Sequence, residues 1–348
     1  MNSKGHPVRA WHDCETPFIA THYQPATLID HALARGIDSH RLLRGTGMFY
    51  EDLLTGTRLI SPRQFLRLIA NAQQLIGADD TSFLFGQQQL PGHCGAASHA
   101  LSHADSLDQA LERLIALRPL VSPLLHLRTR VDEQHLHLTW VDTYGAGEQL
   151  AFLVEASMTA MTAMCRWLSG ETWPWQYQLG FAKPRHIEQY WVHMGEDLRF
   201  GCPLNTMRLP RSCLVQRWPQ ASAITAAVTL QQARAELEGL PLGQGSLLEV
   251  LFEHIQLHIR DPLNLERVAQ AFAMSPATLK RHMKRHGTHF QAQLDQVRTH
   301  EALALYLSKG YSTEEVAAYL NFNDPANFRR SLRRWTGCSP GELKLMLG

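Results

Sequence analysis

The sequence is short of the residues that build covalent or metal frameworks. Six cysteines are spread over 348 residues (Cys14, Cys94, Cys165, Cys202, Cys213 and Cys338), with no C-x-x-C pair and no clustered spacing. That argues against a disulfide scaffold or a cysteine zinc site, and it fits a reducing cytoplasm. No apolar run approaches the roughly 18 residues that a membrane span requires. The stretch MNSKGHPVRAWHDCETP holds no apolar core of the secretory kind, so neither a signal nor a membrane anchor is expected. Net charge is almost absent, +1 from 33 Lys+Arg against 32 Asp+Glu, and by itself it names no polyanionic partner.

Catalytic signatures are missing as well: there is no G-x-S-x-G, Walker loop, H-E-x-x-H or dinucleotide fingerprint. An enzymatic reading would rest on Cys94 beside His93, with His99 and His103 nearby. A cysteine nucleophile needs a base in hydrogen-bond reach and a third group to orient it, and a glycine-rich loop between helices accounts for the stretch equally well. The 19 histidines include three pairs four residues apart, His99/His103, His254/His258 and His282/His286. Without a third convergent ligand such pairs are expected to be structural or solvated, as are His135 and His137 on one strand face. No catalytic residue, metal or cofactor is expected.

What is present is an ordinary globular composition, 45% hydrophobic and 19% charged, long enough for two domains. Residues 1–22 show no period and read as a flexible arm. From Pro25 to Leu117 the pattern is helical: Leu28, Ile29, Ala32 and Leu33 share a face, and Ser61-Pro62-Arg63-Gln64 reads as a capping box. Ser106 with Gln109 repeats that device. The period then changes to two. Leu125, Leu127 and Thr129, then Leu136, Leu138 and Trp140, alternate with polar residues around Asp132-Glu133-Gln134, which predicts a hairpin. Glu148 to Leu168 reads as a long apolar helix, Trp175 to Phe181 as a strand, His186 to Met194 as a helix and Asp197 to Leu209 as short strands. A helical pattern returns from Ala221 to Leu240. The Gly/Pro cluster from Gly239 to Gly245 separates an α+β domain, residues 23–240, from an all-α domain, residues 246–348.

The all-α part holds the same device twice. Ser275-Pro276 opens a run with Lys280, Arg281, Lys284 and Arg285; Asp324-Pro325 opens another with Arg329, Arg330, Arg333 and Arg334. No acid lies between Arg267 and Leu294, nor between Pro325 and Gly341. Leu279 and Met283 are four apart and share a helix face, as do Phe328, Leu332 and Trp335, so the cations fall on the remaining faces. This pattern predicts two helix-turn-helix units, about 263–287 and 312–336, joined by a long helix over Phe290 to Leu307. The second helix of such a unit enters the DNA major groove. There Arg can grip guanine at two atoms while other cations neutralise phosphate.

The run L-x-x-V-A-x-x-F-x-M-S-P-x-T-L-K-R-x-x-K-x-x-G-T-x-F, Leu265 to Phe290, resembles the first helix-turn-helix of AraC/XylS-type transcription regulators. The resemblance continues through Asp295-Gln296-Val297-Arg298, Ala304 to Leu307, and Ser312 to Pro340. Carried over by position, it implies that Ala277, Thr278, Lys280 and Arg281 face DNA from the first unit. Pro325, Ala326, Asn327 and Arg330 do so from the second. Two departures stand out: Ala277 where relatives often have Arg, and Asn321 where the turn usually has Gly. Asn tolerates the left-handed conformation better than most residues, so the turn is expected to survive.

From Pro25 to Leu209 the chain is similar to the arabinose-binding-like sensor domain of a longer subgroup of these regulators. The carriers are Gly36, Asp38, Leu42 and Leu43; Ile60-Ser61 with Gln64-Phe65; Gly92-His93-Cys94-Gly95; Phe181 and Pro184; and Tyr190 and Phe200. The resemblance implies a bacterial, cytoplasmic, small-molecule-responsive regulator of double-stranded promoter DNA. It also implies recruitment of RNA polymerase, a capacity to dimerise, and activation over repression. Repression, or action without an effector, is the alternative. An apolar cavity for the effector is expected where the long helix meets the hairpin, at Trp140, Phe152, Met161 and Trp175.

Overall fold

A computed structural model describes residues 8–347, apart from the side chains of 308–309 and 344–347. In chain order the strands are β1 (Trp11–His12), β2 (Ile19–Ala20), β3 (Leu59–Ile60), β4 (Leu125–Val131), β5 (His135–Asp142), β6 (Gln176–Leu179), β7 (Leu198–Phe200), β8 (Asn205–Pro210) and β9 (Gly245–Ser246). The first helices are α1 (Gln24–Ala34), α2 (Ser39–Leu42), α3 (Tyr50–Thr55), α4 (Pro62–Ile76), α5 (Thr81–Gln87) and α6 (Gly95–Ser102). They are followed by α7 (Leu107–Ala116), α8 (Arg118–Val121), α9 (Leu150–Ser169), α10 (Ile187–His193) and α11 (Ala223–Glu238). Beyond the linker come α12 (Leu247–Leu257), α13 (Leu265–Ala271), α14 (Pro276–Arg285), α15 (Phe290–Lys309), α16 (Thr313–Tyr319), α17 (Pro325–Thr336) and α18 (Pro340–Leu347).

Two compact units result. One runs from Cys14 to Gly201 and from Asn205 to Leu242; the other takes residues 243–347 together with Cys202–Leu204 and residues 8–13. Each has its own apolar core. The expectation of a flexible arm over residues 1–22 is therefore corrected from residue 8 onward. Trp11 and His12 pair in parallel with Gly245 and Ser246, and Ile19 and Ala20 pair with Ile60 and Leu59. Phe18 and Ile19 are fully buried. Short, isolated apolar residues in a polar stretch give no period, which is why the sequence pattern misses them.

The larger unit is α+β. Its sheet has the order β4-β5-β8-β6-β7, antiparallel except for the parallel β6–β7 pair. The hairpin falls where the alternation put it, with Leu127 opposite Trp140 and Leu125 opposite Asp142. Helix α9 is buried on nearly every side, as an apolar helix without a polar face must be. It meets the sheet through Tyr177, whose hydroxyl lies 2.7 Å from Thr162 Oγ1. It also packs on α5 so closely that a β-carbon on Gly86 would strike the Ala156 carbonyl. Glycine is required there by the approach of two backbones.

The caps follow the sequence with one difference. Ser61 Oγ accepts from Gln64 N at 3.3 Å while Gln64 Oε1 accepts from Ser61 N at 2.9 Å, a reciprocal box. Ser106 accepts from Gln109 N at 3.5 Å, but Gln109 Oε1 returns to Asp105 N at 3.1 Å, one residue earlier than a box requires. The smaller unit is mostly helical, as expected, with the strand pair β1–β9 at its start.

Candidate nucleic-acid interface

In the first helix-turn-helix, α13 starts at Asn264, whose Oδ1 accepts from Arg267 N at 2.9 Å, and buries Leu265, Val268 and Ala269. The chain turns at Ala273, which has a left-handed φ of 53°. Helix α14 then opens on Ser275, whose Oγ accepts from Thr278 N at 3.1 Å, with Pro276 in the first turn. Leu279 and Met283 are completely buried and fix one face. Ala277, Lys280, Arg281, Lys284 and Arg285 are exposed, and Thr278 is half-buried with its hydroxyl 2.9 Å from that of Ser275.

The second unit repeats the construction. Ser312 and Glu315 form a reciprocal box at the start of α16, at 3.1 and 2.7 Å. Asn321 takes the left-handed turn, φ 60°, as the sequence predicts. Asp324 caps α17 by accepting from Ala326 N at 2.9 Å and Asn327 N at 3.3 Å. Phe328 and Leu332 are fully buried, and Trp335 packs against Phe322 and Phe328. Ala326, Asn327, Arg329, Arg330, Arg333 and Arg334 are exposed, with Pro325 half-buried. Between the units runs α15, 20 residues and about 30 Å long.

The structure sorts the cations in a way the sequence does not. Arg329 lies 3.2 Å from Glu314, and Arg334 lies 3.4 Å from Asp295. Arg330 donates to Asn327 Oδ1 within its own helix. Arg285 lies 3.3 Å from Asp13. Among the described residues no ion pair holds Lys280, Arg281, Lys284, Arg330 or Arg333. Exposed pairs such as Arg329–Glu314 are worth little and exchange readily for a phosphate. Arg298 is different: its guanidinium stacks 5.0 Å over the Phe322 ring, and burial pushes its pKa down. It ties α15 to the turn of the second unit. Of the three acids that hold recognition-helix arginines, Asp295 and Glu314 sit in recognisable motifs, whereas nothing local marks Asp13.

In the larger unit the four residues expected around a cavity separate. Trp140 and Met161 line one narrow recess of about 10 Å³ with Gln89, Ser122, Leu127 and Ser157. Phe152 instead stacks on Phe85 and Trp175 packs beside Trp173, so neither reaches it. The volume is room for one water-sized sphere. Deeper in, Glu155 of α9 accepts from Ser82 Oγ at 2.6 Å and from the Tyr190 hydroxyl. Burial pushes this carboxyl above its usual range, against the pull of those two hydrogen bonds. Cys94 is also buried, and burial pushes its thiol up to about 12, the opposite of what a nucleophile needs. Of the histidine pairs, His254 and His258 lie 4.7 Å apart ring to ring, and His282 and His286 both face Asp13.

Comparison with known proteins agrees with both halves. A family model described as the arabinose-binding domain of AraC transcription regulators, N-terminal, matches residues 36–218, and a helix-turn-helix domain model matches residues 268–345. The chain is 27% identical over 320 residues to the ornithine utilization regulator of Pseudomonas aeruginosa, covering 91% of this chain and 94% of that one. It is 28% identical over 156 residues to the regulator VqsM of the same organism, covering 44% and 45%. Among solved structures, transcriptional regulator CdpR from Pseudomonas aeruginosa aligns over 92% of this chain and 98% of its own, with 18% identity and a TM-score of 0.38. The sensor-domain model alone spans more than half of the sequence, and the chain belongs to the AraC/XylS family of DNA-binding transcription regulators, proteins with a ligand-sensing N-terminal domain rather than catalysts.

Proposed function

We propose that the chain is a sequence-specific regulator of promoter DNA, controlled by a small molecule and acting as an activator from the cytoplasm. The observation that carries this reading is the duplication: two capped helices, each with one buried apolar face and exposed cations, joined by one long helix. A 20-residue α15 fits the separation of about 34 Å between successive major grooves on one side of the duplex. Arg281 and Arg330 are the base-reading anchors, with Ala277, Thr278, Pro325, Ala326 and Asn327 alongside them. Lys280, Lys284, Arg285, Arg329, Arg333 and Arg334 supply phosphate contacts. Replacing Arg281 or Arg330 by Ala should cost about 1–3 kcal/mol of binding and relax specificity at one half-site only. Footprints on DNA selected by the wild-type chain would show this, and an equal loss on every sequence would reassign either arginine to phosphate.

The effector reading is centred on the recess at Trp140 and Met161. No charged side chain lines it, so a neutral effector fits it better than an ionic one. A ligand larger than water must displace the Trp140 or Met161 side chain, which would carry its binding into α9 and β5. A reporter assay with the Trp140→Ala and Met161→Ala variants tests this. Response to the effector should be lost while DNA binding is kept; an unchanged response in stable variants would move the site elsewhere. Dimerisation through the larger unit and recruitment of RNA polymerase complete the reading, and both rest on the family resemblance. The same assay separates activation from repression.

A further inference from the structure

The N-terminal segment makes a set of contacts that neither the DNA-reading motif nor the sensor domain uses. β1 lies parallel to β9, and Gln244 N donates to Ala10 O at 2.7 Å. The approach is close enough that a β-carbon on Gly243 would sit 2.7 Å from the Trp11 backbone. Arg9 pairs with Glu253 of α12, and Val8 and Trp11 pack against the core of the DNA-binding unit. Asp13 follows this strand directly, and its carboxylate meets two basic groups on α14 and a third at the C-cap of that helix. Oδ2 is 3.1 Å from His282 Nδ1 and 3.3 Å from Arg285 Nη1, and Oδ1 is 3.4 Å from His286 Nε2. The Trp11 ring stands edge-on to His282 at 5.2 Å.

Positions 282, 285 and 286 are spaced i, i+3 and i+4, so they form one stripe on the helix. Without an acid there, two histidines and an arginine would crowd together, and the fully buried imidazole of His286 would lose its carboxylate. Leu279 and Met283 hold α14 on its core from one face. His286 lies on that same buried face, and a second attachment at its flank, through His282 and Arg285, limits the freedom to roll about the apolar contact. Roll is what decides whether Arg281, one residue before His282, points at base edges. We infer that Asp13 is a positioning residue of the first recognition helix, so that the DNA reader is assembled from segments 269 residues apart in the sequence. This rests on α14 reading DNA.

The test uses the full chain and a duplex selected by the wild-type protein from a random-sequence library, with a scrambled duplex as reference. Asp13→Asn keeps the shape and removes the charge. It should weaken binding to the selected duplex about tenfold, the value of one base contact, and erase protection at the first unit's half-site alone. Binding to the scrambled duplex and the slope of affinity against salt should stay as they were, because no phosphate contact is lost. His282→Gln guards against a folding artefact. If Asp13 acts through the helix stripe, the double variant loses no more than Asp13→Asn alone, with helicity retained. Unchanged binding, or additive losses, would overturn the proposal. So would tighter binding to both duplexes with a steeper salt slope, which would make Asp13 a brake on Arg285 instead. If Arg281→Ala leaves DNA binding untouched, the reading of α14 fails; if only Asp13→Asn is silent, the positioning role fails alone.

Discussion

Ala273 and Asn321 occupy equivalent turns, and both hold the left-handed backbone that favours glycine. Asn adopts that conformation with little strain, because its short polar side chain is tolerated there; for Ala it costs about 1–2 kcal/mol. Ala273 is exposed, so its methyl group offsets little of this by packing. Ala273→Gly should therefore stabilise the DNA-binding unit, by about 0.5–1 kcal/mol after the extra chain entropy of glycine is subtracted. Asn321→Gly should gain less. Denaturant midpoints of the two variants check this, and a destabilised Ala273→Gly would show that the turn is held by something other than its own backbone preference. Asn321 was legible in the sequence as the one polar residue suited to a glycine position. Ala273 was not, since alanine fits a helix as well as a turn and carries no sign of the conformation it is forced into.

At the level of elements, what the sequence reveals depends on how local the cause is. Helices α4, α14, α16 and α17 were readable because the cap, the apolar face and, in all but α16, a first-turn proline lie within one stretch of residues, and the structure keeps each cap. The hairpin β4–β5 was readable for the same reason: its register follows from alternation and a short turn. The placing of β8 between β5 and β6 was not, because pairings with long intervening chain leave no periodic trace. Asp132 shows how an element reaches beyond its pattern. Burial raises its pKa, but backbone N–H groups of His135 and Gln134 and the ring of His137 pull it down to about 2. The turn of the hairpin is thus fastened by a carboxylate, and His137 is buried against it at 2.7 Å, the structural role rather than the solvated one. The candidate DNA-facing surface was legible residue by residue. The acids that fasten it were not, because Asp13 and Asp295 act across sequence distances of 269 and 39 residues.

Across the whole molecule, two separate cores give two cooperative units, and a group that titrates inside one should leave the other unmoved. Glu155 offers that probe. Burial holds its carboxyl above the ordinary glutamate value in the folded chain. The folded state therefore keeps the proton to higher pH than the unfolded state does. The stability this group lends is complete below the ordinary value of about 4.3 and is lost as pH rises through the raised folded value. His31, His137 and His193, in the same unit, are pushed down by burial and act in the opposite sense, losing their contribution as pH falls. A raw pH profile mixes these slopes, but the difference between wild type and Glu155→Gln cancels the histidines. The amide introduced by Glu155→Gln can still accept from one neighbouring hydroxyl and donate to the other, so the variant should fold. Calorimetry between about pH 5 and pH 8 should then show two transitions. Relative to Glu155→Gln, the wild-type sensor transition should move to lower temperature as pH rises, while the DNA-binding transition coincides in the two proteins throughout. A difference that stays flat would mean that Glu155 is ionised without penalty. A shift of both transitions together would mean that the two cores unfold as one.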